Sequence, residues 1–183
     1  MAGFEDTLVA AREGEAWALV RLFRLLYPRF VCYVGAVTPT DAEDVAADAW
    51  LDVARGLQRF EGDEQAFRAW AFTIARRRVL DLQRTRARRR TDPVDPEDLV
   101  GAAGAGDVEE EALTHLGTGW AIRLITSSLS SDQAEVVILR VIGELGVDEV
   151  ATIMGKRRGT VRVLQHRALR RLAQVLEGQG VTQ

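Results

Sequence analysis

Residues 147–171, VDEVATIMGKRRGTVRVLQHRALRR, predict two short helices that cross at a steep angle over a tight turn. Gly155 can take the left-handed backbone of the turn, while the small Ala151 and the β-branched Val161 let the helices pack closely. The other face of the second helix is basic, with Arg157, Arg158, Arg162, His166, Arg167, Arg170 and Arg171. A helix-turn-helix with a positive second helix is typical of proteins that bind duplex DNA; the alternative is an ordinary helical hairpin with a solvated face. Lys156 stands where an apolar core residue is expected, so its ammonium should extend towards water.

Charge is segregated along the chain. The 183 residues carry a net charge of −3, which argues against a uniformly basic nucleic-acid binder. Arginines concentrate at 76–90 and 157–171, whereas residues 92–111 contain acidic but no basic side chains. This segregation predicts separate surfaces for partners of opposite charge. Because Cys32 is the single cysteine and no apolar run reaches membrane-spanning length, we expect a cytoplasmic protein without membrane insertion.

A row of aspartates marks a helix that is predicted to begin at a capping box, residues 40–43, and to end near residue 57. Its buried stripe should be Val45, Ala49, Val53 and Leu57. Carboxylates three or four residues apart share the other face: Asp41, Asp44, Asp48 and Asp52. Like charges at this spacing are unfavourable in an isolated helix, so the face is either a solvated surface or a docking surface for a basic partner. A metal site is a third option, which the divergence of side chains on one helix face disfavours.

A second basic stretch lies on the long helix predicted for residues 66–90, which packs Phe67, Trp70 and Val79 on its apolar face. Its last fifteen positions hold eight arginines: Arg76, Arg77, Arg78, Arg84, Arg86, Arg88, Arg89 and Arg90. They indicate contact with a phosphate backbone, with a solvated helix end as the alternative. Phe60, on the loop predicted for residues 56–65, is a candidate for stacking on an unpaired base.

These patterns predict an all-α protein with two small helical domains, 1–90 and 108–178, joined by a flexible acidic linker at 91–107. The helix before an expected break at Pro28 should bury Trp17, Val20, Phe23 and Tyr27. The apolar positions expected in the core of the second domain include Trp120, Val141 and Leu169. With two distant histidines and no cysteine near either, a zinc site is not expected.

Three stretches, in this order, resemble alternative sigma factors of the extracytoplasmic-function (ECF) type, which keep only the family's second and fourth regions. Residues 41–53, DAEDVAADAWLDV, resemble the helix that docks on the clamp helices of the RNA polymerase β′ subunit. Residues 66–90 resemble the helix that meets and opens the −10 element. Residues 129–172 resemble the module that reads the −35 element while bound to the β flap. The chain departs from the family's usual residues at Arg77, Ser130, Lys156, Leu164 and Gln165.

The resemblance implies a promoter-specificity subunit without catalysis, metal or cofactor, whose partners are core RNA polymerase, promoter DNA and an anti-sigma factor. It implies −35 contacts by Arg157, Arg158, Thr160, Arg162, His166 and Arg167. It implies −10 contacts by Phe60, Arg76, Arg77, Arg78 and Arg84, and polymerase contacts by Asp41, Asp44, Asp48 and Asp52. The alternatives are a helix-turn-helix regulator that binds duplex DNA without polymerase and an enzyme or metalloprotein that uses the aspartates.

Overall fold

The computed structural model describes residues 3–91 and 119–178, which form α-helices joined by short turns. The helices are α1 (Phe4–Arg12), α2 (Ala16–Val37), α3 (Ala42–Gly56), α4 (Glu64–Thr91), α5 (Gly119–Ser128), α6 (Ser131–Val141), α7 (Val147–Met154) and α8 (Arg158–Gly178). Two 3₁₀ turns, Pro39–Asp41 and Leu57–Arg59, flank α3. The predicted all-α fold is therefore confirmed. The predicted linker beyond Thr91 and the predicted return of helix at Val108 lie outside the described residues.

The first domain is a bundle of α2, α3 and α4, with α1 packed against α2. The stripe predicted for the third helix is confirmed, because the buried side chains include Val45, Ala49, Val53 and Leu57. Aromatic rings join α4 to α2: the ring centroid of Phe72 lies 5.4 Å from that of Phe30 and 5.8 Å from that of Tyr33. Burial of such rings anchors the middle of α4, and this fixes where its arginines lie.

Helix α2 continues through Pro28, so the predicted break is wrong. Proline cannot donate a backbone hydrogen bond to the helix. Leu26 and Phe30, on either side of it, are fully buried, and their packing holds the helix together. The predicted buried face is also rotated, because Trp17 and Val20 are exposed and the core receives Ala18, Leu22, Leu26 and Phe30. Apolar residues cover more than one side of α2, so periodicity alone did not select the buried face.

Helix α3 begins without the capping box predicted over residues 40–43. A 3₁₀ turn occupies Pro39–Asp41, and Ala42 is the first α-helical residue, with no side-chain hydrogen bond at the cap. The hydroxyl of Thr38 instead donates to Asp41 Oδ2 at 3.3 Å. The capping-box prediction is wrong because a tighter 3₁₀ turn connects α2 to α3 and uses these residues.

The predicted helix-turn-helix is formed by α7 and α8. Gly155 ends α7 in the left-handed conformation, with φ of 63°. The backbone N–H of Lys156 donates to the carbonyl of Ala151 at 2.9 Å, which satisfies an acceptor at the helix end. Val150 and Val161, one from each helix, are fully buried. The turn and the crossing therefore use the side chains that the sequence predicts.

Away from the crossing of α7 and α8, the second domain buries side chains other than those that the sequence predicts. Trp120, Val141 and Leu169 are more than half exposed, at 53%, 63% and 51%, so their predicted place in the core is wrong. Ile122 and Ala168, close to them in the sequence, are buried instead. The small side chain of Ala168 allows α8 to approach its neighbours closely, and this orientation turns Leu169 outward.

The two domains lie against each other. Helix α2 contacts α5 and α6, and α4 contacts α7. At the start of the basic half of α4, Arg76 pairs with Glu135 of the second domain, which the pattern of the sequence does not indicate.

Candidate nucleic-acid interface

The basic face of α8 points to solvent. The residues predicted to contact the −35 element are all exposed: Arg157, Arg158, Thr160, Arg162, His166 and Arg167. Val161 and Ala168 lie on the opposite side of the same helix and are fully buried. A helix that is anchored on one side and cationic on the other has the form needed to enter the major groove. The fold thus brings these predicted residues together on one accessible surface.

Two cations next to the turn are held by carboxylates of the second domain. Lys156 Nζ lies 2.9 Å from Asp132 Oδ2 on α6, so this ammonium is paired rather than simply extended into water. Arg158, the first residue of α8, pairs with Asp148 of α7. The first pair explains how a lysine is tolerated at a position where an apolar residue was expected.

Three of the predicted polymerase-binding aspartates lie on α3, and the fourth, Asp41, ends the 3₁₀ turn before it. Two arginines of α4, Arg78 and Arg86, pair with part of this set. Arg78 Nη2 lies 2.6 Å from Asp52 Oδ2, and Arg78 Nη1 lies 3.8 Å from Asp48 Oδ2. Asp44 is exposed, and no lysine or arginine within residues 3–91 and 119–178 forms an ion pair with it. The carboxylates best placed to meet a basic partner are therefore Asp44 and Asp48.

All four predicted −10 arginines on α4 contact carboxylates of the chain itself, and so does Arg86. The pairs are Arg76 with Glu135 of α6, Arg78 with Asp52 and Asp48, Arg86 with Asp41, and Arg77 and Arg84 with Asp81. The Arg77 pair is long, at 3.9 Å, and its side chain is largely exposed. Such exposed pairs contribute little to stability and can exchange for other anions. Arg76 differs because its carboxylate belongs to the other domain.

Phe60 is part of the core rather than a free ring. It is 8% exposed, and its ring centroid lies 5.0 Å from that of Trp70 and 5.4 Å from that of Phe67. A Cβ at Gly56 would come within 2.7 Å of the Trp70 ring, so the glycine makes room for this cluster. The ring is packed into the core in this structure, and stacking of Phe60 on an unpaired base stays a prediction. A cavity of about 510 Å³ adjoins the cluster, lined in part by Arg59 and Trp70.

A polar contact that the sequence does not reveal joins the two domains at Glu135. Its Oε1 accepts a hydrogen bond from the Tyr33 hydroxyl at 2.8 Å and another from Arg76 Nε at 2.8 Å. Burial, followed by the charge and hydrogen bond of Glu135, raises the pKa of Tyr33 well above its ordinary value. Burial disfavours the charged form of Arg76, but the hydrogen bond and charge of Glu135 outweigh it and raise the pKa of this arginine. Tyr33 is therefore a neutral donor and Arg76 a cation when they bind Glu135.

A second inter-domain contact centres on Glu144, in the turn between α6 and α7. Its Oε1 lies 2.9 Å from Arg29 Nη2, and it also pairs with Arg68. Gln65 donates to the backbone carbonyl of the same residue at 3.4 Å. Within the described part of the chain, Glu144 is the one residue other than glycine with a positive φ, at 54°. Side chains from α2 and α4 thus converge on a turn with a rarely adopted backbone.

One exposed apolar residue lies on the acidic face, although it is not among the predicted site residues. Leu51 of α3 is about half exposed and lies three and seven residues after Asp48 and Asp44, on the same side of the helix. Its exposed side chain adds apolar area to the face that carries the aspartates. The signal that could have found it is its spacing from the aspartates.

Neither a metal site nor a membrane helix is found in the residues that the structure describes. Their His, Cys, Asp and Glu side chains form no group of three or more that could hold an ion. None of their helices is both long and apolar enough to cross a bilayer.

Two family models match the chain, one over each domain. Residues 21–91 match sigma-70 region 2, and residues 120–172 match sigma-70 region 4. The order of the two matches is that of the two helical domains.

Similar curated proteins cover almost the whole chain. The ECF RNA polymerase sigma factor ShbA of Streptomyces griseus is 33% identical over 182 residues, which span 91% of this chain and 92% of that protein. The ECF RNA polymerase sigma factor SigD of Mycobacterium tuberculosis is 33% identical over 178 residues, with coverage of 91% and 81%.

Solved structures share the fold. CnrH in complex with the cytosolic domain of CnrY is similar with a TM-score of 0.59 and 19% identity, over 94% of this chain and 96% of that one. The sigma factor RpoE of Bartonella quintana, solved with the anti-sigma factor NepR, is similar with a TM-score of 0.60 and 23% identity, over 86% and 95%. At these identities the likeness concerns architecture alone.

Proposed function

The chain belongs to the ECF RNA polymerase sigma factors. From this membership we propose which of its surfaces bind the −10 element, the −35 element and core RNA polymerase. It is an alternative sigma factor that directs transcription initiation. The observation that carries the proposal is the match of its two domains, in order, to regions 2 and 4. The protein acts in the cytoplasm as a specificity subunit and performs no catalysis of its own.

The second domain reads the −35 element through α8. Arg162 and His166 are exposed on one face of α8, and Arg157 is exposed just before the helix begins. The buried Val161 fixes the orientation of that face. Arginine can bind guanine in the major groove through two hydrogen bonds, and the other cations of the face can bind phosphates. Thr160 and Arg167 lie on the same helix and contribute polar contacts at its edge.

The first domain engages the −10 element through α4 and the Phe60 cluster. The cations for this role are Arg76, Arg77, Arg78 and Arg84. Each has an acidic partner in the free protein, so DNA phosphates have to replace carboxylates there. Phe60 contributes to base capture only if its ring leaves the core, and Trp70, which is half-buried beside the cavity, lies next to it.

Core RNA polymerase binds an acidic face formed by Asp41, at the end of the 3₁₀ turn, and by Asp44, Asp48 and Asp52 of α3. The exposed side chain of Leu51 supplies an apolar contact within that face. Carboxylates around an apolar residue complement the basic clamp helices of the β′ subunit, and the second domain rests on the β flap. Because the solved relatives CnrH and RpoE were captured with CnrY and the anti-sigma factor NepR, an anti-sigma factor is expected as a further partner.

Transcription reconstituted from purified components tests this function. Core RNA polymerase is combined with the protein and a genomic DNA library, and transcript starts are mapped. We expect starts that share upstream hexamers, and dependence on the −35 hexamer should weaken when Arg162 is replaced by alanine. Absence of any protein-dependent start would contradict the function, and tight polymerase-independent binding to duplex DNA would favour a conventional helix-turn-helix regulator instead.

A charge-reversal variant tests the polymerase surface. Asp44→Lys should abolish or strongly weaken binding to core polymerase, because Asp44 is exposed and lacks an ion-pair partner within the described residues. Glu13→Lys is the matched control, since Glu13 is an exposed acid at the end of α1, away from α3. Equal polymerase affinity of the two variants in a fluorescence-anisotropy titration would contradict the assignment.

A further inference from the structure

We propose that Val163 of α8 determines part of the promoter specificity by contacting the C5-methyl group of a thymine in the −35 element. Val163 is not among the predicted −35 residues, which are basic side chains and one threonine. The proposal rests on the proposed function, because it requires α8 to enter the major groove of the −35 duplex. It adds the chemistry by which the helix distinguishes one base pair of that duplex.

Val163 lies at the centre of the outward face of α8. Val161 is fully buried, and at 3.6 residues per turn a step of two residues places Val163 about 200° around the helix axis from it. Gly159, His166 and Arg170 lie along the same outward line, four residues before and three and seven residues after Val163. All four residues are exposed. When α8 enters the major groove with its basic face, this line lies nearest the base edges.

The packing of the described residues does not account for a valine at this position. The side chain of Val163 is 48% exposed, and it lies outside the hydrophobic core of those residues. A β-branched residue also has a lower helix propensity than alanine, leucine or arginine, so it does not stabilise an exposed helix. Isolated apolar residues are common on protein surfaces, but this one occupies the outward line of the helix that reads DNA. The valine is therefore better explained by a ligand than by folding.

The surroundings of Val163 suit DNA rather than an apolar surface of another protein. Positions 158–171 of α8 contain five arginines and no acidic residue. Arg162 and Arg167 flank the outward line on opposite sides, where they can bind phosphates while the central side chain reaches a base. In the major groove the bases present hydrogen-bonding atoms and, at thymine, a C5-methyl group. Since valine has no hydrogen-bonding group in its side chain, the thymine methyl group is the feature that it can recognise.

Gly159 leaves space for the duplex beside Val163. It lies one turn earlier on the outward line, and apart from its own helix nothing in the described part of the chain lies within 4 Å of a Cβ built there. Packing within those residues therefore does not require a glycine, although glycine weakens a helix relative to alanine. Glycine is common where a backbone closely approaches a ligand. Its missing side chain lets base edges come near the methyl groups of Val163.

Replacement of single thymines by deoxyuridine tests the proposal, because uracil pairs as thymine does but lacks the C5-methyl group. Holoenzyme is formed from core RNA polymerase and the full-length protein, and its affinity is measured for promoter duplexes in which each −35 thymine of either strand is replaced in turn. The promoter is one identified by mapping transcript starts. We expect one replacement to weaken binding roughly fourfold, as for one methyl group that is no longer buried. Val163→Ser should bind that duplex and its thymine parent equally, and should fold normally because the side chain is exposed.

Leu169→Ser is the matched control on the same helix. Leu169 is 51% exposed, but it lies only about 80° around the helix axis from Val161 and so away from the outward line. This variant should keep the preference for thymine even if its overall affinity changes, because the preference is a ratio measured within one variant.

Three results would overturn the proposal. Val163→Ser could retain the preference for thymine, which would assign the methyl contact to another side chain, such as that of Thr160. The parent holoenzyme could bind every uracil duplex as tightly as the thymine duplex, or the −35 element could contain no A·T pair. Holoenzyme that binds promoters without any dependence on the −35 sequence would contradict the proposed function as well, and this outcome is distinguishable from the other three.

Discussion

The two surfaces predicted to bind promoter DNA differ in whether carboxylates of the protein pair with their arginines. On the −35 surface, Arg157, just before α8, and Arg162 and Arg167, on α8, are exposed and pair with no carboxylate of the described residues, whereas Arg158 pairs with Asp148. On α4, Arg76 and Arg78 are bound by carboxylates of α6 and α3, respectively. Phe60, predicted for the same −10 surface, is packed into the core. Arginine density alone therefore does not define an available DNA surface, because neighbouring acids decide whether the cations are accessible.

The largest expected effect concerns Phe60 on the first surface. Phe60→Ala should lower the free energy of unfolding by about 3–5 kcal/mol, because it removes a buried ring from the Phe67 and Trp70 cluster. Phe60→Leu should cost less than about 1.5 kcal/mol, since it keeps most of the volume. Urea denaturation followed by circular dichroism measures both. An unchanged denaturation midpoint for the alanine variant would show that the ring does not stabilise the core. The −10 surface would then resemble the exposed −35 surface more closely.

A smaller effect, on function rather than stability, is expected at Arg162 of the second surface. Arg162→Ala should weaken −35-dependent promoter binding by about 1–3 kcal/mol, as for a major-groove base contact. Its unfolding should stay unchanged, because the side chain is exposed and outside the core. Run-off transcription with a mapped promoter measures the loss. Arg123→Ala, an exposed arginine of α5, is the control, and equal losses for both variants would remove Arg162 from the recognition surface.

Arg78 of α4 should show the opposite pattern, because its replacement should lower stability, whereas replacement of Arg162 should leave stability unchanged. Arg78→Ala should lower the free energy of unfolding by about 0.5–1.5 kcal/mol, because Asp52 loses its 2.6 Å partner while only partly exposed to water. Arg77→Ala is the neighbouring control, since its 3.9 Å pair with Asp81 is largely solvated. Thermal unfolding of the two variants measures the difference in their free energies of unfolding. If both behave alike, the ion pairs of α4 do not restrain its arginines, and the contrast with α8 is lost.

The smallest effect is expected for the cation beside the turn. Lys156→Ala should destabilise the second domain by less than about 1 kcal/mol, because its pair with Asp132 is partly exposed. A double-mutant cycle with Asp132→Ala isolates the pair from other effects of each substitution. A coupling energy of zero would mean that Lys156 is tolerated without help from Asp132, as a simple solvated cation.

Several helices were predictable from the sequence because local chemistry specifies them. Gly155 has to adopt a positive φ at the end of α7, and Val45, Ala49 and Val53 recur at a spacing that only one face of a helix satisfies. The burial of individual apolar residues was harder to predict. Trp17 and Val20 are exposed although both are apolar, because α2 offers more than one apolar side and its neighbours select which is covered.

The candidate site also has one part that the sequence predicts and one part that it does not. The exposed face of α8 follows from periodicity, since burying Val161 forces Arg162 and His166 outward. The partners of the α4 arginines do not follow from periodicity. Arg76 and Glu135 are 59 residues apart in the sequence, and Arg29 and Glu144 are 115 apart. No local pattern encodes such pairs.

The sequence by itself determined the all-α class, the helix-turn-helix and the two basic helices, because short-range sterics and the period of the helix act over a few residues. Only the tertiary structure decided which charges are available. It sets Asp52 against Arg78 and Glu135 against Arg76, since the position of each partner depends on how whole helices pack. Coulomb attraction depends on distance in space, and that distance is fixed by the buried side chains that join the helices.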